Sequence, residues 1–156
     1  VSDAEVIHGG RGVWAATPWS YSSTRFLILH ANGSGRLVYA YGQTIYANIL
    51  CRWEVPSAGV LRLDYLETPA DGHRFKEFSP GADAVRELRY TLSPGMVSGE
   101  DDIVGLTYRF HWTLELSEQP WPPGLSLPYE VPRVFFGHRQ GDSQDVESGE
   151  SEDEWE

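Results

Sequence analysis

Leu106-Thr107-Tyr108-Arg109-Phe110-His111-Trp112-Thr113-Leu114-Glu115-Leu116 decides the fold. Its even-numbered residues are all apolar or aromatic. Its odd-numbered residues are all polar or charged. Side chains alternate across a β-strand but are spread around a helix at 3.6 residues per turn, so this run fits a strand with one buried face and fits no single helical face. A second alternation places Ile45, Ala47, Ile49, Cys51, Trp53 and Val55 on one side and Tyr46, Asn48, Leu50, Arg52 and Glu54 on the other. Shorter versions run through Leu37, Tyr39 and Tyr41, through Leu61, Leu63 and Tyr65, and through Leu88, Tyr90 and Leu92. With strands near Val13 to Ala16, Phe26 to His30 and Val134 to Gly137, eight are expected in an all-β chain.

Turn signals punctuate these runs: Asn32-Gly33-Ser34-Gly35, Gly42-Gln43, Pro56-Ser57-Ala58-Gly59, Pro69 to Gly72, Ser79-Pro80-Gly81, Ser93-Pro94-Gly95 and Pro120 to Gly124. They leave little room for helices, and most connections are short enough to join sequential neighbours. Eight short antiparallel strands joined in this way predict an up-and-down barrel, with a two-sheet sandwich as the alternative. The loop from Thr68 to Ala82 suits a lid over one mouth or a long crossover.

Two hairpins can be registered from side chains alone. Around Pro56 to Gly59, pairing Trp53 with Leu63, Cys51 with Tyr65 and Val55 with Leu61 sets Arg52 against Asp64 and Glu54 against Arg62. Opposite charges thus meet in an alignment chosen for apolar residues. Around Asn32 to Gly35, matching Leu29 with Tyr39 and Leu27 with Tyr41 turns Phe26, Ile28, Val38 and Ala40 outward. That apolar outer patch calls for cover by another part of the chain or by a partner.

The chain of 156 residues is long enough for one domain with a real core. Residues 1–140 are expected to form the barrel. Residues 141–156 hold eight carboxylates and no Lys or Arg, which reads as a disordered acidic tail. Either it is a solvating tail, or Trp155 anchors a protein partner and Ser151, within Ser151-Glu152-Asp153-Glu154, accepts a phosphate. Without the tail, 15 acidic residues face 12 basic ones, a poor balance for neutralising a phosphate backbone, so a nucleic-acid function is set aside. No apolar run is long enough for a membrane-spanning helix. A lone cysteine, Cys51, allows no disulfide within the chain and points to a reducing, cytoplasmic setting. The N-terminal Val1 reads as a processed or trimmed end. Asn32-Gly33-Ser34 forms a sequon, which its loop composition explains without sugar.

Catalytic motifs are missing. The chain has no nucleophile elbow, phosphate loop or dinucleotide fingerprint, and its five histidines show no metal-ligand spacing. Cys51 beside Trp53 reads as a packing thiol, and Glu54 and Asp64 as ion-pair partners of arginine, not a glycosidase pair. His111 reads as a solvated or salt-paired residue of the charged sheet face. The inner face, in contrast, is unusually aromatic: Tyr39, Tyr41, Trp53, Tyr65, Tyr90, Tyr108, Phe110 and Trp112. An eight-stranded barrel is wide enough either to be filled by its side chains or to hold one small ligand. Buried phenols need hydrogen-bond partners, which favours the ligand.

Gly12-Val13-Trp14 at the head of an eight-strand meander resembles the opening Gly-x-Trp motif of the lipocalin and wider calycin group. The resemblance implies a barrel whose Trp14 packs at the closed end beneath a late arginine, Arg133 or Arg139, with a small apolar ligand in the cup. It also implies His138 as an axial ligand should the barrel bind haem. The second lipocalin motif and the disulfide of many members are missing. The expected function is non-enzymatic binding of a small apolar or aromatic molecule by the inner face. The alternative is a protein-interaction module using Phe26, Ile28, Val38 and Trp155, and a haem protein or enzyme on the same barrel ranks third.

Overall fold

The computed structural model describes residues 2–20, 22–70, 77–82, 84–101, 103 and 105–140. A short helix α1 (Asp3–His8) and a 3-10 turn (Gly10–Gly12) lead into eight strands: β1 (Val13–Ala15), β2 (Ser23–Leu29), β3 (Ser34–Tyr41), β4 (Thr44–Ser57), β5 (Val60–Tyr65), β6 (Val85–Glu100), β7 (Thr107–Leu116) and β8 (Val134–Arg139). Each pairs antiparallel with the next, and β8 returns to β1 through Trp14–Gly137 and Ala15–Phe136. The result is a closed up-and-down barrel, not a sandwich. Closure removes every free sheet edge.

The β4–β5 hairpin has the expected register, with Cys51 opposite Tyr65, Arg52 opposite Asp64, Trp53 opposite Leu63 and Glu54 opposite Arg62. A bulge past Glu54 then displaces the expected Val55–Leu61 pair, and Ser57 meets Val60. On the solvent face Arg62 lies between Glu54, at 3.9 Å, and Asp64, at 3.4 Å.

The β2–β3 hairpin corrects its expected register. Leu29 pairs with Gly35 and Leu27 with Leu37, while Tyr39 and Tyr41 face Arg25 and Ser23. The cause is a tighter turn. Gly33, at φ 87°, lets its N–H reach the carbonyl of His30, and the Asn32 side chain accepts from the Ser34 N–H at 2.9 Å. The slip is an even number of residues, so the inner and outer faces are unchanged.

Ser93-Pro94-Gly95 is not a turn. β6 continues through it as a bulge between Pro94 and Val97, with Gly95 at φ 141°. A bulge accommodates a proline that the regular ladder would reject. The chain reverses instead at 101–106, where the Gly105 N–H donates to the Asp101 carbonyl and Gly105 has φ 73°. Leu106 therefore falls outside β7 and is exposed.

Inward residues of all eight strands form one contiguous core that includes Trp14, Leu27, Leu37, Tyr39, Trp53, Leu63, Leu88, Leu114 and Phe135. Two members come from outside the barrel wall: Ile7 of α1, and Trp121 of the Pro-rich connection between β7 and β8.

Candidate functional site: the two ends of the barrel

One end is closed by α1. Ser2 and Glu5 form a reciprocal capping box, which fixes where the helix starts. The buried indole of Trp14 donates to the carbonyl of Ile7 at 2.8 Å, and the Tyr90 hydroxyl donates to the Asp3 carboxylate at 2.6 Å. His138 lies edge-on to Trp14, ring centroids 5.8 Å apart, with its Nε2 2.6 Å from the carbonyl of Val6. A histidine ring thus packs against Trp14. Arg133 turns instead to the Glu115 carboxylate at 2.8 Å. The Nε2 of His138 is engaged by a backbone carbonyl, and its ring packs also against Trp112.

The opposite end is crossed by a strap, residues 119–132. Arg86 Nη1 donates to the carbonyls of Gln119 and Trp121, each at 3.0 Å, and the Tyr65 hydroxyl donates to the carbonyl of Pro120 at 2.5 Å. Tyr39 ties the other half, since its hydroxyl donates to the Glu130 carbonyl at 3.2 Å and accepts from the Tyr129 N–H at 3.0 Å. Between these anchors Trp121 enters the core, fully buried, 5.7 Å from Tyr39 and 6.0 Å from Phe135, centroid to centroid. Its indole N–H has no hydrogen-bond partner.

The eight aromatic residues expected to line one cup are divided. Tyr39, Trp53, Tyr65 and Tyr90 belong to the core, and Trp112 packs against it. Phe110 is buried in a separate contact with Phe136, which in turn meets Trp19. Tyr108 is only partly buried. Tyr41 is 40% exposed and stacks on Tyr129 of the strap at 4.5 Å. The three core phenols find their partners in the two segments that close the ends. Burial pushes the Tyr65 hydroxyl up in pKa although the Arg86 guanidinium beside it acts the other way. Desolvation also pushes the Cys51 thiol up to about 12, which keeps it protonated and unreactive.

Of the residues proposed for a partner, Ile28 and Val38 are buried within the chain itself and Phe26 is partly buried. Trp155, Ser151 and the rest of 141–156 lie outside the described residues, as does 71–76 of the loop considered as a lid. The flanks of that loop are joined by a bridge between Thr68 and Phe78.

Strap and barrel wall do not meet everywhere. β1 ends at Ala15, and beyond it a cleft of about 570 Å³ opens at the rim, lined by Ala16, Thr17, Ser23, Arg25, Tyr41, residues 129–134 and Phe136. Its floor holds Arg25, which is only 3% exposed. Arg25 Nη1 donates to the carbonyls of Ala40 at 2.6 Å and Thr24 at 3.3 Å, and Nε to that of Glu130 at 3.4 Å. Its guanidinium carbon lies 3.9 Å from the centroid of the Tyr39 ring.

Sequence reasoning missed Trp121, Tyr129 and Arg25. Trp121 was findable, because a tryptophan between two prolines in a loop is a large apolar group that needs cover. Arg25 interrupts an apolar strand on its inward parity, a weaker signal. Among the described residues no group of three or more His, Cys, Asp or Glu is placed to hold a metal ion, and no helix is long and apolar enough to cross a membrane. No protein-family model, curated protein or solved structure matches the chain.

Proposed function

We propose that this chain is a calycin-like barrel that binds a small molecule without turning it over, and that the ligand sits in the rim cleft instead of deep inside the barrel. The interior is already occupied, by Trp121 from one end and Ile7 from the other. One observation carries the reading: the cleft has the size of a small-molecule site, and Tyr41, Tyr129, Phe136, Val131 and Val134 give it an aromatic and aliphatic wall beside the polar Thr17, Ser23, Arg25, Glu130 and Arg133. The Tyr41–Tyr129 stack spans barrel wall and strap and offers a flat aromatic surface. Support for the calycin-like part comes from the eight-strand meander and from Trp14 on the first strand at the helix-closed end.

Two matched dyes test it, neutral N-phenyl-1-naphthylamine and its sulfonate, 1-anilinonaphthalene-8-sulfonate. Saturable fluorescence enhancement is expected with at least one. Tyr129→Ala, which removes an exposed side chain and leaves the core intact, is expected to weaken it about three- to tenfold, the worth of one aromatic contact. Failure of both dyes to bind, or binding indifferent to Tyr129, overturns the proposal.

A further inference from the structure

We infer that the cleft selects an organic anion, an aromatic carboxylate or sulfonate whose charge is read by Arg25 and whose ring lies against Tyr41 and Tyr129. This rests on the proposal that the cleft is a binding site, and adds the chemistry of what it takes.

Arg25 supplies the charge. A guanidinium is always charged, and burying a charge is costly unless an opposite charge meets it. Arg25 meets three backbone carbonyls and the face of Tyr39, which are dipoles and a quadrupole, not anions. Among the described residues, Arg25 forms no ion pair with a carboxylate, although it is only 3% exposed. Nη1 and Nε are held by the wall and the strap, so the guanidinium plane is fixed before any ligand arrives. A guanidinium fixed in the wall of the cleft suits a planar or tetrahedral oxyanion.

The other charges at the rim do not substitute for it. Arg133, which also lines the cleft, is exposed and engaged by Glu115. Glu130 contributes its backbone carbonyl to Arg25 and is itself exposed. The formal charge of the whole chain is −11, so its long-range field repels anions. Any preference for an anion must therefore arise from a local, partly desolvated cation, and Arg25 is the one on the cleft floor.

The dye pair differs only by the sulfonate, so the ratio of their affinities reads the charge preference directly. Wild-type protein is expected to favour the sulfonate about tenfold at low salt, the worth of a hydrogen bond to a charged group. Arg25→Met should erase that ratio, which is read within the variant by comparing its affinities for the two dyes and so does not depend on its overall affinity. Should Arg25→Met fail to fold, Arg25→Lys keeps the charge but loses the fork, and is expected to weaken only the sulfonate. Two results overturn the inference and leave the site standing: equal affinity for both dyes in the wild type, or a sulfonate preference that survives at Arg25 variants. Absence of Tyr129-dependent binding of either dye removes the site itself.

Discussion

Trp14 stands directly on Gly137 where β1 closes against β8: the two are paired across the seam, and a Cβ added at 137 would meet Trp14 Cε3 at 2.5 Å. The barrel closes at this point because residue 137 has no side chain. Trp14 is fully buried and held by its bond to Ile7, so it cannot move aside. Gly137→Ala is therefore expected to cost about 1–3 kcal/mol, the range for overpacking a tight core. Gly81→Ala, where an added Cβ meets nothing within 4 Å, is the neutral control. Urea unfolding compares them. Equal midpoints would mean that the seam is not closed by this contact.

Trp14 and Trp121 seal opposite ends of the barrel, and their indole nitrogens differ. Trp14 Nε1 donates to Ile7, whereas Trp121 Nε1 has no partner. Replacing either by Ala should cost about 3–5 kcal/mol in lost burial and cavity. Replacing either by Phe separates them. Trp14→Phe also orphans a buried carbonyl and is expected to cost about 1 kcal/mol more than Trp121→Phe. Denaturant midpoints of the four variants would reveal it, and a larger loss for Trp121→Phe would imply a hidden polar partner for Trp121.

The same two residues mark how far the amino-acid sequence can be read. Strand number, order and faces followed from period-two alternation, because a closed antiparallel sheet buries one side of every strand. The β4–β5 register followed because charge and apolar pairing agreed there. The β2–β3 register did not, because the turn at Gly33 is tighter than its four turn-forming residues suggest and a slip by an even number leaves the apolar pattern intact. What closes the ends was harder still. Ser2-Asp3-Ala4-Glu5 carries the capping-box spacing that announces α1, but the helix is only six residues long and has no periodicity of its own. The strap has no regular structure, so nothing in its spacing says that Trp121 turns inward or that Tyr129 joins Tyr41. Three of the five tyrosines expected to seek a ligand, Tyr39, Tyr65 and Tyr90, hydrogen-bond to α1 or the strap, which moved the candidate site from the interior to the rim.

Alkaline pH should destabilise the barrel from about pH 9 upward. Burial, and secondarily the Asp64 carboxylate, pushes the Cys51 thiol from 9.0 up to about 12. Burial and the Asp3 carboxylate that accepts its hydrogen bond push the Tyr90 hydroxyl from 10.0 up to about 12. The Tyr65 hydroxyl is raised by burial as well. In each case the folded state holds the proton more tightly than the unfolded chain does. Between the unfolded and folded values, unfolding releases protons, so stability falls as pH rises; below about pH 9 these groups contribute no slope. Urea midpoints taken from about pH 8 to pH 11 should decline, and Cys51→Ala combined with Tyr90→Phe should flatten the decline even where it lowers the starting stability. A curve that stays level to pH 11, or a slope untouched by the two substitutions, would show that neither proton is held by the fold. In that event Asp3 and Tyr90 would not be what pins α1 over the end of the barrel.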